Sequence, residues 1–285
     1  MQVFTNLAEF ERWRRSAAGV ALVPTMGALH EGHVSLVRQA ASLARARGTS
    51  WGTVVTIFVN PTQFNDPADY QRYPKTLDAD VAACEAAGAT AVLTPAPEEV
   101  YPPGMEIGTP ELPEVAMTPG LEDAHRPGHF AGVCQVVKRL FELTTPAAAV
   151  FGEKDWQQLQ VVSAMTAALR MAVEIVPGAT VRDPDGLAMS SRNRFLSPED
   201  RARGLALSRG LHAAGVEGTP DGAEAALRKV LGAAGITPDY AVVREAESLM
   251  PRRELAGKPG VRWRAVVAAK VGSVRLLDNM AWPAR

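Results

Sequence analysis

Val20-Ala21-Leu22-Val23-Pro24-Thr25-Met26-Gly27-Ala28-Leu29-His30-Glu31-Gly32-His33 is the stretch from which the rest of the chain is read. The apolar run Val20–Val23 predicts a short buried strand. Gly27 predicts a turn, and Val34-Ser35-Leu36-Val37-Arg38 begins a helix expected over about residues 33–47. A helix start offers unpaired N–H groups and a partial positive charge, which suits phosphate. Glycine lets backbone approach a ligand closely. His30 and His33 would add hydrogen bonds and positive charge where phosphate charge develops. Two blander readings stay open: a polar loop, or a metal-binding pair. A zinc HxxH needs further Cys, His or acidic ligands. The HExxH motif would need one more residue between the histidines. The pattern therefore points to a nucleotide site that does chemistry.

Strands and helices alternate outward from this stretch. Residues 7–18 read as a helix, Gly48 as the C-cap of the helix before it, and Trp51–Val59 as an apolar, β-branched strand. Asn60–Tyr73 is a polar loop with Pro61 and Pro67. A helix over about 76–87 places Leu77, Val81 and Cys84 on one face. Ala91–Thr94, Ala147–Phe151 and Val173–Val176 read as strands, Gly132–Leu143 and Asp155–Arg170 as helices. Residues 95–128, rich in Pro and Gly, read as irregular with short edge strands. The fold class expected is α/β: a Rossmann-like, doubly wound parallel sheet over residues 1–179, then a second, smaller α+β domain over 180–285. The second domain has helices at Pro198–Ala214 and Asp221–Gly235 and strands at Asp239–Arg244, Trp263–Val271 and Ser273–Leu277. Val271-Gly272-Ser273 turns a hairpin, and Gly215–Gly222 is a loop or hinge.

Bulk properties narrow the function classes. Hydrophobic residues make up 47% and charged residues 21% of 285, as in soluble globular proteins. With a net charge of −1, no global field draws in nucleic acid or an anionic membrane. The start Met1-Gln2-Val3-Phe4-Thr5-Asn6 lacks the marks of a secretory signal, and no apolar run approaches the ~18 residues of a membrane span. Cys84 and Cys134 belong to no CxxC and read as buried free thiols in a reducing compartment.

Ligands in doubly wound sheets bind beyond the carboxyl ends of the strands. His30 and His33, Asn60 and Gln63, and Gly152-Glu153-Lys154-Asp155 each follow a predicted strand. Lys154 reads either as a phosphate lysine or as an exposed lysine in a capping turn. Gln63 and Gln158 offer amides that both donate and accept, suited to hydroxyl and carboxylate groups, although exposure explains either one alone. Asp183-Pro184-Asp185-Gly186-Leu187-Ala188-Met189-Ser190-Ser191-Arg192-Asn193 brings two hydroxyls and a guanidinium fork, a phosphate-binding set. The same segment also reads as a surface loop before a helix capped by Ser197.

Taken together, these segments resemble the pantoate–β-alanine ligase (pantothenate synthetase) family. The resemblance rests on Pro24–His33, Ile57–Phe64, Tyr73–Leu77, His129–Val133, Phe151–Asp155 and Asp185–Asn193, in order over most of the first 200 residues. More widely, the chain is similar to nucleotidyltransferases of the HxGH type, including class I tRNA synthetases. Met189-Ser190-Ser191-Arg192 stands at the KMSKS place without its second lysine, which argues against a tRNA synthetase.

The resemblance implies a cytoplasmic, homodimeric, AMP-forming ligase acting on ATP, pantoate and β-alanine, with no nucleic acid or membrane partner. Pantoate would first be adenylated with release of pyrophosphate, and β-alanine would then displace AMP. It implies catalytic roles for His33, His30, Lys154 and Arg192. Met26, Gly27, Ala28, Leu29, Glu31, Gly32, Gly152, Glu153, Asp155, Val181, Met189, Ser190 and Ser191 would join them around ATP. Gln63 and Gln158 would hold pantoate and β-alanine, with Asn60, Tyr73, His129 and Asp80 in a second rank. Mg2+ would accompany ATP through its phosphates, with Asp80 the one candidate protein ligand. Residues 60–75 would act as a lid over the adenylate. Two alternatives stand beside this: another HxGH-type nucleotidyltransferase, and a non-catalytic nucleotide-binding module.

Overall fold

The computed structural model describes residues 1–63, 70–71, 73–251 and 260–284. Residues 64–69 and 72 of the expected lid, Phe64 and Pro67 among them, lie outside the described residues. The chain divides into two compact units. One takes in Met1–Pro113, Arg126–Glu153 and Val161–Ala179; the other takes in Glu114–His125, Lys154–Gln160 and Thr180–Arg285.

The first unit is built on a six-stranded sheet of β1 (Gln2–Phe4), β2 (Gly19–Thr25), β3 (Trp51–Ile57), β4 (Ala91–Leu93), β5 (Ala148–Gly152) and β6 (Glu174–Gly178). Its order is β1-β4-β3-β2-β5-β6, and the pairings are parallel. Helices α1 (Leu7–Ser16), α2 (Glu31–Arg47), α3 (Leu77–Ala86), α4 (Pro97–Val100), α5 (Glu122–His125), α6 (His129–Thr144) and α7 (Trp156–Ala168) follow in chain order, α5 and the start of α7 falling to the second unit. Val20, Leu22, Val23, Val54 and Val55 have no exposed surface. Such strands are covered on both faces, so their sequence runs apolar without alternation. Each fully buried side chain of this kind contributes about 1.5–3 kcal/mol. Helix α2 turns Leu36, Val37, Ala40 and Ala44 onto the same core as Ala21, Val23, Val55 and Val150.

Strand order reverses at β2. The chain crosses to β3 on one side of β2, and β5 occupies the other. The loops after β2, β3 and β5 therefore leave neighbouring strands at the carboxyl edge, the place where such sheets receive ligands.

In the second unit, β7 (Pro238–Glu245), β8 (Trp263–Val271) and β9 (Val274–Trp282) form an antiparallel sheet. Helices α8 (Pro198–Gly215) and α9 (Pro220–Ala233) share its core, which includes Leu207, Leu211, Leu227, Val243, Ala265 and Val267. Val271 pairs with Val274 around a two-residue turn whose Gly272 has φ +58°, the left-handed region a tight hairpin requires. Ser197 caps α8 by accepting from the Asp200 N–H.

Two expectations are corrected. Residues 95–128 carry no strand among the described residues; they form α4, the 3-10 turn Glu114–Ala116 and α5. Their acids cap helical turns: Glu99 accepts from the Ala96 N–H, and Asp123 from Gly120 and Leu121. On helix α3, Cys84 and Val81 face the core as expected, whereas Leu77 is 42% exposed; Asp80 is buried as well, its carboxylate serving an inward backbone site.

Helix α6 holds the loop after β3 through a close approach. A Cβ on Gly132 would lie 2.5 Å from the Thr62 carbonyl oxygen and 2.9 Å from the Gln63 Cα. Asn60 Nδ2 donates to the Gly132 carbonyl (3.2 Å), and the His129 ring meets the Gln63 carbonyl (3.0 Å). Gly132→Ala therefore displaces the loop bearing Gln63. The expected cost is about 1–3 kcal/mol, read by thermal or denaturant unfolding. Unchanged stability would show that the loop yields freely and is not held by this contact.

Candidate active site

The turn after β2 is fixed before any ligand arrives. Thr25 Oγ1 donates to the Thr56 carbonyl (2.8 Å) and accepts from the Gly27 N–H (3.2 Å). Gly27 then takes φ +82° and Ala28 φ +51°. A left-handed alanine is strained and must be held in place. Asp80 does this from α3. Its Oδ2 accepts from the Ala28 N–H at 2.9 Å and its Oδ1 from the Leu29 N–H at 2.8 Å. Thr76 Oγ1 lies within hydrogen-bond distance of both carboxylate oxygens (3.2 and 3.1 Å), and Tyr73 donates to the Gly27 carbonyl at 3.3 Å. Asp80 is 3% exposed and both its oxygens are engaged in the turn. The carboxylate thus shapes the backbone of the turn.

Helix α2 starts two residues earlier than the apolar pattern suggested, because the histidines themselves form its cap. His30 Nδ1 accepts from the Gly32 N–H (3.1 Å), and His33 Nδ1 accepts back from the His30 N–H (3.4 Å). This is a capping box built from imidazoles. An Nδ1 that accepts carries no proton, so each neutral ring has its proton on Nε2. The ring centres lie 4.1 Å apart, and both side chains are half-buried. The helix start thus presents two N–H donors of fixed tautomer beside its own positive end. Glu31, the neighbouring candidate, is exposed and pairs with Arg38.

The turn after β3 stands beside Met26. Gln63 Nε2 lies 3.1 Å from Met26 Sδ, and Gln63 Oε1 accepts from Asn60 Nδ2 at 3.1 Å. Asn60 is buried, and its Oδ1 accepts from the Tyr101 hydroxyl at 2.8 Å. Burial pushes that phenol's pKa up, so it stays a donor. Tyr101 was missed from sequence; nothing local marks a tyrosine 41 residues from its partner. Gly152 ends β5, where a Cβ would sit 3.7 Å from Leu36 Cδ1 of α2, in ordinary van der Waals contact. Glu153 opens the following 3-10 turn.

Lys154, Asp155, Gln158, Val181, Met189, Ser190, Ser191 and Arg192 belong to the second unit. Lys154 and Asp155 lie in the 3-10 turn before α7, with Nζ 3.6 Å from Asp155 Oδ1. Gln158 is half-buried on α7. Its neighbour Gln157 is buried, accepting from the Glu122 N–H and donating to the Val115 carbonyl and Asp123. Ser190 caps the 3-10 turn Ser191–Phe195 by accepting from the Arg192 N–H at 3.3 Å. The Met189 N–H donates to the Val181 carbonyl at 3.0 Å, which binds these two candidates together.

Neither cysteine can serve as nucleophile. Burial pushes both thiols up to about 12, with the Asp80 charge adding to the effect at Cys84. At neutral pH they are un-ionised, and the thiolate is the reactive form. Among the described residues, no three His, Cys, Asp or Glu side chains are grouped to hold a metal ion. The site offers donors for an anion and amides for a small polar molecule.

The Asp80 grip has a direct test. Asp80→Ala leaves two backbone N–H groups of a buried turn unpaired and should destabilise the fold by about 2–4 kcal/mol. Thermal melting should show the drop equally with and without magnesium. A drop seen only with magnesium present would make Asp80 a metal ligand rather than a brace for the turn.

Comparison with known proteins fits this geometry. The family model described as pantoate-beta-alanine ligase matches residues 2–281. The chain is 48% identical to pantothenate synthetase of Myxococcus xanthus, over 98% of this chain and 95% of that one. It is 48% identical to the Anaeromyxobacter dehalogenans protein of the same name, over 95% and 93%. A crystal structure of pantothenate synthetase from Thermus thermophilus matches with a TM-score of 0.86 at 40% identity, covering 98% of this chain and 99% of the other. The Francisella tularensis ligase, solved with beta-gamma ATP and beta-alanine, matches with a TM-score of 0.77 at 30% identity, over 99% and 97%. By sequence over nearly its whole length and by fold, this chain belongs to the pantoate–β-alanine ligase family.

Proposed function

We infer that this chain condenses pantoate with β-alanine at the expense of ATP, giving pantothenate, AMP and pyrophosphate. The observation that carries the reading is the imidazole-capped start of α2 in a chain of this family. Two imidazoles that cap each other through Nδ1, their ring centres 4.1 Å apart, stand at the positive end of a helix. That arrangement favours a polyphosphate over a neutral ligand.

The chemistry proceeds in two displacements. A pantoate carboxylate oxygen attacks the α-phosphorus of ATP, and the bond from that phosphorus to the bridging oxygen breaks to release pyrophosphate. The β-alanine amine then attacks the acyl carbon, and the carbon–oxygen bond breaks with AMP as leaving group. Direct attack on the carboxylate fails because oxide is a poor leaving group; adenylation replaces it with a good one.

The protein's part is placement and charge. His30 and His33 donate to phosphate oxygens where charge builds up, His33 as proton donor or charge stabiliser. Lys154, Ser190, Ser191 and Arg192 hold phosphate, the guanidinium as a fork and the hydroxyls as single donors. Met26, Gly27, Ala28, Leu29, Glu31, Gly32, Gly152, Glu153, Asp155, Val181 and Met189 complete the nucleotide contacts. Gln63 and Gln158 hold pantoate by donating to its oxygens and accepting from its hydroxyls. Magnesium bound to ATP would supply charge neutralisation at the phosphates. We assign residues 1–179 the catalytic, substrate-binding role and residues 180–285 the support of the MSSRN turn. The chain is expected to act in the cytoplasm as a homodimer. Among the described residues, no helix is long and apolar enough to cross a membrane.

The test is AMP formation from ATP and magnesium, with pantoate, β-alanine or both. AMP should rise in step with pantothenate only when both are present. Nucleotide-linked product without β-alanine would make the chain a different nucleotidyltransferase. His30→Asn separates the ring's two duties, since asparagine caps helices well but lacks the Nε2–H. Its melting temperature should stay near wild type while turnover falls by roughly 10²–10³. Wild-type turnover would remove His30 from the mechanism.

A further inference from the structure

Lys154 owes its place to the sheet of its own unit. Asn279 of β9 is buried and uses both ends of its amide. Nδ2 donates to the Lys154 carbonyl at 2.8 Å, and Oδ1 accepts from Arg264 Nε at 2.6 Å. A guanidinium only donates, so the amide oxygen must face Arg264 and the NH2 must face Lys154. Arg264, on β8, is itself buried and lies over Trp156, its Cζ 3.5 Å from the ring centre. Trp156 Nε1 in turn donates to the Ala246 carbonyl at 2.6 Å. The backbone of Lys154 and the side chain two residues later are therefore gripped from the same three-stranded sheet.

The residue before Asn279 does the same for the other phosphate turn. Asp278 is 4% exposed and takes both arms of Arg182, at 2.6 and 2.9 Å, along with the Asn279 N–H at 2.8 Å. Arg182 also donates to the Gly186 carbonyl and bridges to Ala188, and the Ala188 carbonyl accepts from Asn193. Two consecutive β9 residues thus brace the Lys154 turn and the segment that leads into Met189–Arg192.

We propose that Asn279 is a positioning residue for Lys154: its amide fixes the backbone from which the ammonium reaches phosphate. This rests on the phosphate role given to Lys154 above. A group fixed in advance loses less entropy at the moment of reaction, and a displacement near 1 Å can cost ~10² in rate. Asn279 touches no substrate in this account, so its effect must pass through Lys154.

A double-mutant cycle reads that dependence. Asn279→Asp keeps an acceptor for Arg264 but sets a carboxylate oxygen against the Lys154 carbonyl. It should lower kcat for pantothenate formation about tenfold or more, with KM for pantoate changed less than about twofold. In a Lys154→Gln background the same change should lower kcat by less than about twofold. Equal losses in both backgrounds would make Asn279 merely structural and overturn the proposal. An active Asn279→Asp beside an impaired Lys154→Gln would overturn it too. Wild-type turnover by Lys154→Gln would instead strike at the Lys154 assignment, and the proposal falls with it. If Asn279→Asp does not fold, Asn279→Gln keeps donor and acceptor on a stem one methylene longer and reads the same coupling.

Discussion

One buried carboxylate organises the first unit's candidate site. Asp80 accepts from two consecutive backbone N–H groups, Ala28 and Leu29, at the point where the chain leaves β2. Thr25 and Tyr73 hold Gly27 at φ +82°, and Asp80 holds the alanine that follows it at φ +51°. So held, the turn delivers His30 to the N-cap of α2, and the cap in turn fixes the tautomer of both imidazoles. The chain of cause runs from a charge on α3, to the backbone of a turn, to the proton on a ring nitrogen. A hydrogen bond to a charged group contributes about 1.5–3 kcal/mol, so two of them can outweigh the strain of one left-handed residue.

What the sequence made legible follows from the range of each interaction. Val20–Val23 and Val54-Val55 read as doubly covered strands because burial on both faces writes itself into consecutive residues. The hairpin at Gly272 and the Ser197 cap were readable because turns and caps are settled within a few residues. The grip of Asp80 on the turn was invisible because its partners lie 51 and 52 residues away, and spacing says nothing about such pairs. On α3, periodicity found Val81 and Cys84 on the core, but not that Asp80 is buried while Leu77 lies exposed. His30 and His33 were located as a pair, yet their mutual capping was invisible until the backbone was drawn. Asn279 carried no motif at all, since its importance lies in what it touches.

The two units support their candidate residues by different means. In the first, backbone turns at the carboxyl edge of a parallel sheet are shaped by Asp80, Thr25, Tyr73 and the close approach of Gly132. In the second, side-chain networks from an antiparallel sheet reach out to hold short 3-10 turns. Both leave polar donors on rigid mounts, which is what a reaction catalysed by placement and charge requires. The two cysteines, both in the first unit, provide no activated nucleophile, since their thiols stay protonated at neutral pH.

The central claim is that a carboxylate oxygen of the acid becomes bonded to the α-phosphorus of ATP. Pantoate labelled with heavy oxygen in its carboxylate tests this most directly, by mass spectrometry of the products. The account predicts one labelled oxygen in the phosphate of AMP for each pantothenate formed, and none in pyrophosphate. Label appearing in inorganic phosphate, with ADP as the nucleotide product, would mean attack at the terminal phosphorus. Unlabelled AMP would mean that no acyl adenylate forms. Either result would contradict the account.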